Sequence, residues 1–294
     1  MPITFEQISF TYDSIPKKRK SKQQLDCDAS INWVLKDLSL TIDDTEFLGV
    51  AGKNGCGKST LIQHMNGLLS PSMGRVLVDG LDISDKKNAM HARQKIGVVF
   101  QYPERQLFAE TVLQDVSFGP RNIGMSEDDI FLSAKEAIQR VGLDFETIKD
   151  KSPFELSGGQ MRRVAFAGIL AMGPKILVLD EPLSGLDPSV RSEMLELIDN
   201  LHESGTGIVM VSHNMDDIAA HCKRMIIISG GKIVAQGSPE EVFANSEIIN
   251  LHATGVPTAV SIACELRNKG LNIPSGYYTA QSLAEKIHDL YQEG

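Results

Sequence analysis

The sequence predicts an α/β protein built on a buried parallel sheet. Three observations carry this. A short apolar run, Phe47–Ala51, feeds a glycine-rich loop and then a segment of helical spacing, Lys58–Leu69, which makes a strand–loop–helix unit. Two further strands, Ile176–Leu179 and Ile208–Val211, are apolar at every position, as strands covered on both faces are. Between them, Arg191–Ser204 has helical spacing.

The other elements follow along the chain. Ile3–Thr11 alternates apolar and polar residues, as a half-buried strand does. Residues 13–32 break that pattern: Lys17, Lys18, Arg19, Lys20 and Lys22 sit beside Pro16 with few apolar neighbours, which reads as an exposed loop. Leu38–Ile42, Val76–Val78 and Ile96–Phe100 are strands, and Asp79-Gly80 is a turn. In Ser126–Val141 the residues Ile130, Ala134, Ala137, Ile138 and Val141 share a helix face, and Ser126 with Asp129 forms a capping signal. Met225–Ser229 and Lys232–Ala235 pair as a hairpin around Gly230-Gly231. Beyond residue 245, Pro257 opens a helix that Gly270 ends, and Thr279 caps a last helix with the stripe Leu283, Ile287, Leu290 and Tyr291. Residues 246–294 therefore read as a small helical C-terminal extension.

Composition excludes several classes. The chain has 294 residues, 42% hydrophobic and 23% charged, which is ordinary for a soluble globular protein. Its net charge of −9 disfavours non-specific nucleic-acid binding. Cys27, Cys56, Cys222 and Cys264 form no CxxC pair, which argues against structural zinc and a disulfide framework and for a reduced compartment. No signal peptide is expected from the polar-alternating start, and no apolar run reaches the ~20 residues of a membrane span.

Three motifs carry chemistry. Gly52-Lys53-Asn54-Gly55-Cys56-Gly57-Lys58-Ser59 fits G-x-x-x-x-G-K-[ST], the phosphate-binding P-loop. Glycines let successive backbone N–H groups converge on phosphate oxygens, and the following helix adds its positive dipole end. Lys58 supplies charge to the β- and γ-phosphates, and Ser59 offers its hydroxyl to Mg²⁺. Second, Ile176–Leu179 delivers Asp180 and Glu181 at its carboxyl end, where α/β sheets place ligands. Alone that would be a solvated acidic turn; beside a P-loop it reads as a Mg²⁺ ligand and a residue that polarises the attacking water. Third, Leu156-Ser157-Gly158-Gly159-Gln160 places a serine and two glycines before a helix, a second anion site of the same build. One nucleotide does not need two γ-phosphate sites, so this one serves a nucleotide held by another subunit.

LSGGQ, with a P-loop upstream and LVLDE downstream, resembles the ATP-binding-cassette (ABC) ATPases over roughly residues 3–245. The resemblance implies a P-loop NTPase fold: a RecA-like parallel-sheet core, an antiparallel β subdomain and a helical signature subdomain at about residues 102–160. It also implies a head-to-tail dimer that holds ATP between one chain's P-loop (Gly52 to Thr60) and the other's Ser157, Gly158, Gly159 and Gln160. By the same resemblance, Gln101 touches Mg²⁺ and water, Asp187 in Ser184-Gly185-Leu186-Asp187 crosses the dimer interface, and His213 contacts the γ-phosphate. Tyr12 stacks on adenine, with Phe10 as the competing aromatic.

The stretch Phe100–Phe108 and its continuation Glu110–Pro120 are similar to the ATPases of energy-coupling factor (ECF) transporters, which import vitamins and transition metals. SPFELSGGQMRRVAFAG and VSHNMDD resemble the second of their two paralogous ATPases. That implies a heterodimer with a paralogue, docked on the cytoplasmic side under an integral membrane scaffold that works with substrate-binding membrane subunits. Two departures are Leu183-Ser184 where Thr-Ala is commoner and the long basic insertion at 13–32. That insertion reads either as a solvated loop or as a contact to anionic lipid. The extension reads either as packed on its own domain or as part of the dimer interface. An ordinary ABC importer ATPase and a soluble ABC ATPase acting on nucleic acid are the competing functions.

Overall fold

The computed structural model describes residues 2–13, 31–252, 255–274 and 276–292. Residues 14–30, with the cluster Lys17–Lys22 and Cys27, lie outside them, as does the side chain of Tyr291.

Among the described residues ten strands form two sheets. In chain order they are β1 (Ile3–Phe10), β2 (Leu35–Ile42), β3 (Phe47–Ala51), β4 (Met73–Val78), β5 (Leu81–Asp82), β6 (Ile96–Val99), β7 (Ile176–Asp180), β8 (Gly207–Val211), β9 (Arg224–Ser229) and β10 (Lys232–Gly237). The smaller sheet is antiparallel, in the order β2-β1-β4-β5. The larger runs β10-β9-β3-β8-β7-β6 and is parallel except for the β9–β10 hairpin.

The parallel strands are buried on both faces, which is why they read as unbroken apolar runs. In β3, Phe47 and Ala51 enter one core while Leu48 and Val50 enter the other. β7 divides the same way: Leu177 and Leu179 face one side, Ile176 and Val178 the opposite one. One core lies between the two sheets and includes Ile3, Phe5, Leu38 and Leu61; the other lies under the helices.

The helices are α1 (Lys58–Met65), α2 (Lys86–Lys95), α3 (Val112–Asn122), α4 (Glu127–Arg140), α5 (Phe145–Ile148), α6 (Gly158–Leu170), α7 (Pro188–Glu203), α8 (Met215–His221), α9 (Pro239–Ala244), α10 (Ser246–His252), α11 (Thr258–Asn268) and α12 (Ala280–Gln292). α1 stops at Met65, short of the expected Leu69, because Gly67 turns left-handed at φ 70°. In α4 the expected stripe is buried, and Ser126 accepts a hydrogen bond from the Asp129 amide. α3, α4 and α6 pack together into one helical layer that continues through α6 to Leu170. Sequence periodicity did not reveal α2, whose apolar content is too low, nor α3, nor the short α5, α8, α9 and α10. Asp85, Asp144, Asn214 and Ser238 cap α2, α5, α8 and α9 and are the signals that mark these four.

In the extension, α11 and α12 pack around Ala259, Ala263, Ile273 and Leu283. Leu290 packs against that cluster, while Ile287 stays exposed. Gly270 ends α11 at φ 90°, and Thr279 accepts from the Ser282 amide at the start of α12. Among the described residues no helix is long and apolar enough to cross a membrane.

Candidate functional site

The loop between β3 and α1 takes its path from glycine. At Gly52, φ is +146° and an added Cβ would lie 2.3 Å from the Ile228 carbonyl oxygen, so only a residue without a side chain lets the loop pass β9. At Gly57, φ is +110° and a Cβ would lie 2.9 Å from the Val34 oxygen. Gly57 is also the N-cap of α1, and no side chain caps that helix. The first amides of α1 are therefore not bonded by a capping side chain and suit an anion.

Lys58 is buried, and its ammonium donates to the carbonyls of Gly52 (2.6 Å) and Lys53 (3.1 Å). Its charge is thus held over the loop. The Ser59 hydroxyl donates to Asp180 Oδ2 at 3.3 Å, which joins the helix start to the end of β7. Glu181 follows in the left-handed region at φ 52°, uncommon for a residue with a side chain, and its amide donates to the Val211 carbonyl. The adjacent strand β8 leads to His213, whose Nε2 lies 3.3 Å from Glu181 Oε1. That contact lacks hydrogen-bond geometry, and Oε1 is buried with no hydrogen-bond partner.

A cleft of about 500 Å³ results. Asn54, Gly55 and Gly57–Thr60 line one side; Gln101, Asp180, Glu181, Ser184 and His213 line the other. Burial raises the Asp180 carboxyl above the usual carboxylate range. Burial and the neighbouring Asp180 charge push Glu181 up to about 7, against the pull of Lys58. Burial and the Lys58 charge hold His213 below its ordinary value. Among the described residues no group of three or more His, Cys, Asp or Glu could hold a metal by itself. A hydroxyl and a carboxylate side by side suit a hard cation that takes its remaining ligands from phosphate and water.

Other expected positions lie off this cleft. Cys56 is buried in the core cluster and does not line the cleft, and burial raises its thiol. Tyr12 is 64% exposed, and its hydroxyl lies 3.3 Å from Thr60 Oγ1 at the rim. Phe10 is buried edge-on to Tyr12 and His64, which leaves Tyr12 as the accessible aromatic. Ser157 caps α6, accepting from the Gln160 amide while Gln160 Oε1 accepts from the Ser157 amide. This tip is exposed and stands apart from the P-loop cleft. Asp187 is exposed and caps α7, accepting from the amides of Ser189 and Val190.

The structure adds charged pairs that the sequence could not reveal. Arg162 is buried against Glu104, and the half-buried Arg191 pairs with the buried Asp217. Their members are 58 and 26 residues apart, and no local spacing signals such a contact.

The chain matches the family described as "ABC transporter" over residues 35–184. It is 48% identical to the energy-coupling factor transporter ATP-binding protein EcfA2 of Symbiobacterium thermophilum, over 98% of this chain and 96% of that protein. It is also 48% identical to the protein of that name from Clostridium perfringens, over 87% and 90%. Among solved structures it is similar to cbiO1 from Clostridium perfringens, described as part of the ABC transporter complex cbiONQ: TM-score 0.71, 36% identity, 91% of this chain and 96% of that one. The ATP-binding cassette MJ0796, in a dimeric post-hydrolysis state with ADP and Pi, matches with TM-score 0.66 and 27% identity over 81% and 98%.

Proposed function

The chain belongs to the ATP-binding subunits of energy-coupling factor transporters within the ABC transporter family, and from that membership we propose that it supplies half of each of two composite ATP sites in a pair of unlike ATPases. Binding and hydrolysis of ATP coupled to transport come with the family. The observation that carries the proposal is the separation of the two anion-binding helix starts. Lys58, Ser59, Asp180, Glu181 and His213 meet in one cleft, while Ser157, Gly158 and Gln160 stand exposed outside its lining. Each nucleotide then lies between this chain's cleft and the partner's signature tip, and the reverse.

Within the cleft the P-loop amides and Lys58 hold the β- and γ-phosphates. Ser59, Asp180 and Gln101 are the residues that would hold Mg²⁺, which when bound neutralises charge building on the phosphate oxygens. Glu181, its Oε1 lacking any protein hydrogen bond, polarises the water aimed at the γ-phosphorus. His213 holds the γ-phosphate, and Tyr12 at the rim stacks on adenine. The exposed Asp187 meets the partner ATPase. Positioning and electrostatics supply most of the rate, so loss of one group is severe.

The pair docks beneath a membrane scaffold subunit on the cytoplasmic side, through the surface that follows Gln101. Closure around ATP moves that surface and drives import of a vitamin or other micronutrient chosen by a separate membrane protein. Reconstitution of the chain with its paralogue and scaffold in liposomes tests this. ATP-dependent uptake that disappears with Glu181→Gln supports the reading. Uptake indifferent to that substitution overturns the role of Glu181, and a homodimer that supports uptake without a paralogue overturns the heterodimer.

A further inference from the structure

Arg162 lies two residues past Gln160 on the inward face of α6, with its side chain only 4% exposed. Its guanidinium makes four hydrogen bonds to three residues in two segments. Nε and Nη2 grip Glu104 Oε2 and Oε1 at 2.9 and 3.0 Å. Nη1 donates to the carbonyls of Pro182 (3.2 Å) and Ser184 (3.1 Å). Glu104 sits in the 3-10 turn Pro103–Gln106, just past Gln101. Pro182 adjoins Glu181, and Ser184 lines the cleft. Burial pushes the Glu104 carboxyl up, but the Arg162 hydrogen bonds and charge outweigh it and hold it below the usual range. The Glu104 carboxyl is therefore held in its charged form beside the guanidinium.

We propose that Arg162, through Glu104, is a positioning residue for ATP hydrolysis: it locks the signature helix, the Gln101 segment and the Glu181–Asp187 segment into one body. A buried ion pair is a poor stabiliser compared with apolar packing. Its distinctive property is geometric, since a planar fork fixes carboxylate and carbonyls in one arrangement that a single ammonium cannot. The body so formed carries the tip that faces the partner's nucleotide together with two walls of the chain's own cleft. Displacement of one segment is thereby transmitted to the others. Arg162 touches no reacting atom; it acts through the residues it holds.

The inference rests on the reading that Gln101 and Glu181 serve one bound ATP. It is tested in the assembled transporter with Arg162→Met, which keeps side-chain volume, with the near-isosteric Glu104→Gln and with the pair. Each single variant is expected to lower ATP turnover about 10- to 100-fold, as misplaced catalytic groups do, while the KM for ATP changes less than about threefold. The double variant is expected to fall no further than the worse single, because both break one unit. Arg162→Lys is expected to restore little. Wild-type turnover in Glu104→Gln, additive losses in the double variant, or a KM rise that accounts for the turnover loss would each overturn the proposal. A wild-type complex that hydrolyses no ATP, or one indifferent to Glu181→Gln, would instead remove the reading of the site beneath it.

Discussion

α1 and α6 both start at glycine, Gly57 capping the first and Gly158 opening the second, yet they are finished in opposite ways. The start of α1 has no side-chain cap, folds a buried lysine over its own carbonyls, and is walled by Gln101, Asp180, Glu181 and His213. The start of α6 carries a complete capping box between Ser157 and Gln160 and lies open. The first is thus a pocket whose donors call for a ligand. The second is self-satisfied at its cap, and under the proposed pairing its anion comes from another subunit. The same local device is left open to a ligand in one case and closed on itself in the other, according to what the fold builds around it.

The largest effect expected on this contrast is at Glu181. Glu181→Gln in the assembled transporter should cut turnover about 10²- to 10⁴-fold, the range for a lost general base, without weakening nucleotide binding to the isolated chain. Steady-state ATPase rates and a nucleotide titration check both halves. Next is Gly57→Ala, which forces a side chain into φ +110° and against the Val34 carbonyl. It should cost roughly 1–3 kcal/mol of local strain, and calorimetric titration should show a loss of nucleotide affinity in the isolated chain.

Ser157→Ala tests the other half. Loss of the cap should destabilise the chain by about 1 kcal/mol, visible as a small fall in melting temperature. ATP affinity of the isolated chain should be unchanged while turnover of the complex falls. If affinity of the isolated chain fell as well, the two helix starts would not be independent. The smallest effect is at Tyr12, whose ring lies at the rim. Tyr12→Ala should weaken ATP binding by an amount set by about 0.5–1.5 kcal/mol of aromatic stacking. Full retention of affinity would remove the adenine from that ring.

Much of this contrast is legible in the chain itself. The P-loop, the acidic end of β7 and the Ser157 tip are each encoded within eight residues or fewer, because backbone conformation and capping are short-range. The stripe of α4 and its Ser126 cap are local for the same reason. Helix α2 was missed because Lys86–Lys95 holds few apolar residues, so its Asp85 cap carries nearly all of the signal. Tyr12 and Phe10 are not separable by pattern, since they lie two residues apart at the end of one strand; only the burial of Phe10 makes Tyr12 the accessible ring.

The sequence by itself determined the glycine-rich loop and helix starts proposed to bind phosphate, the apolar strands that carry them and the family they belong to. Tertiary structure alone decided that Asp180 stands 3.3 Å from Ser59, 121 residues away, and that Arg162 binds Glu104 and the carbonyls beyond Glu181. The physical reason is range. Helix starts and turns follow from a few neighbouring torsions and hydrogen bonds, whereas contacts between distant segments exist only after strand order has brought the ends of β3, β6, β7 and β8 side by side.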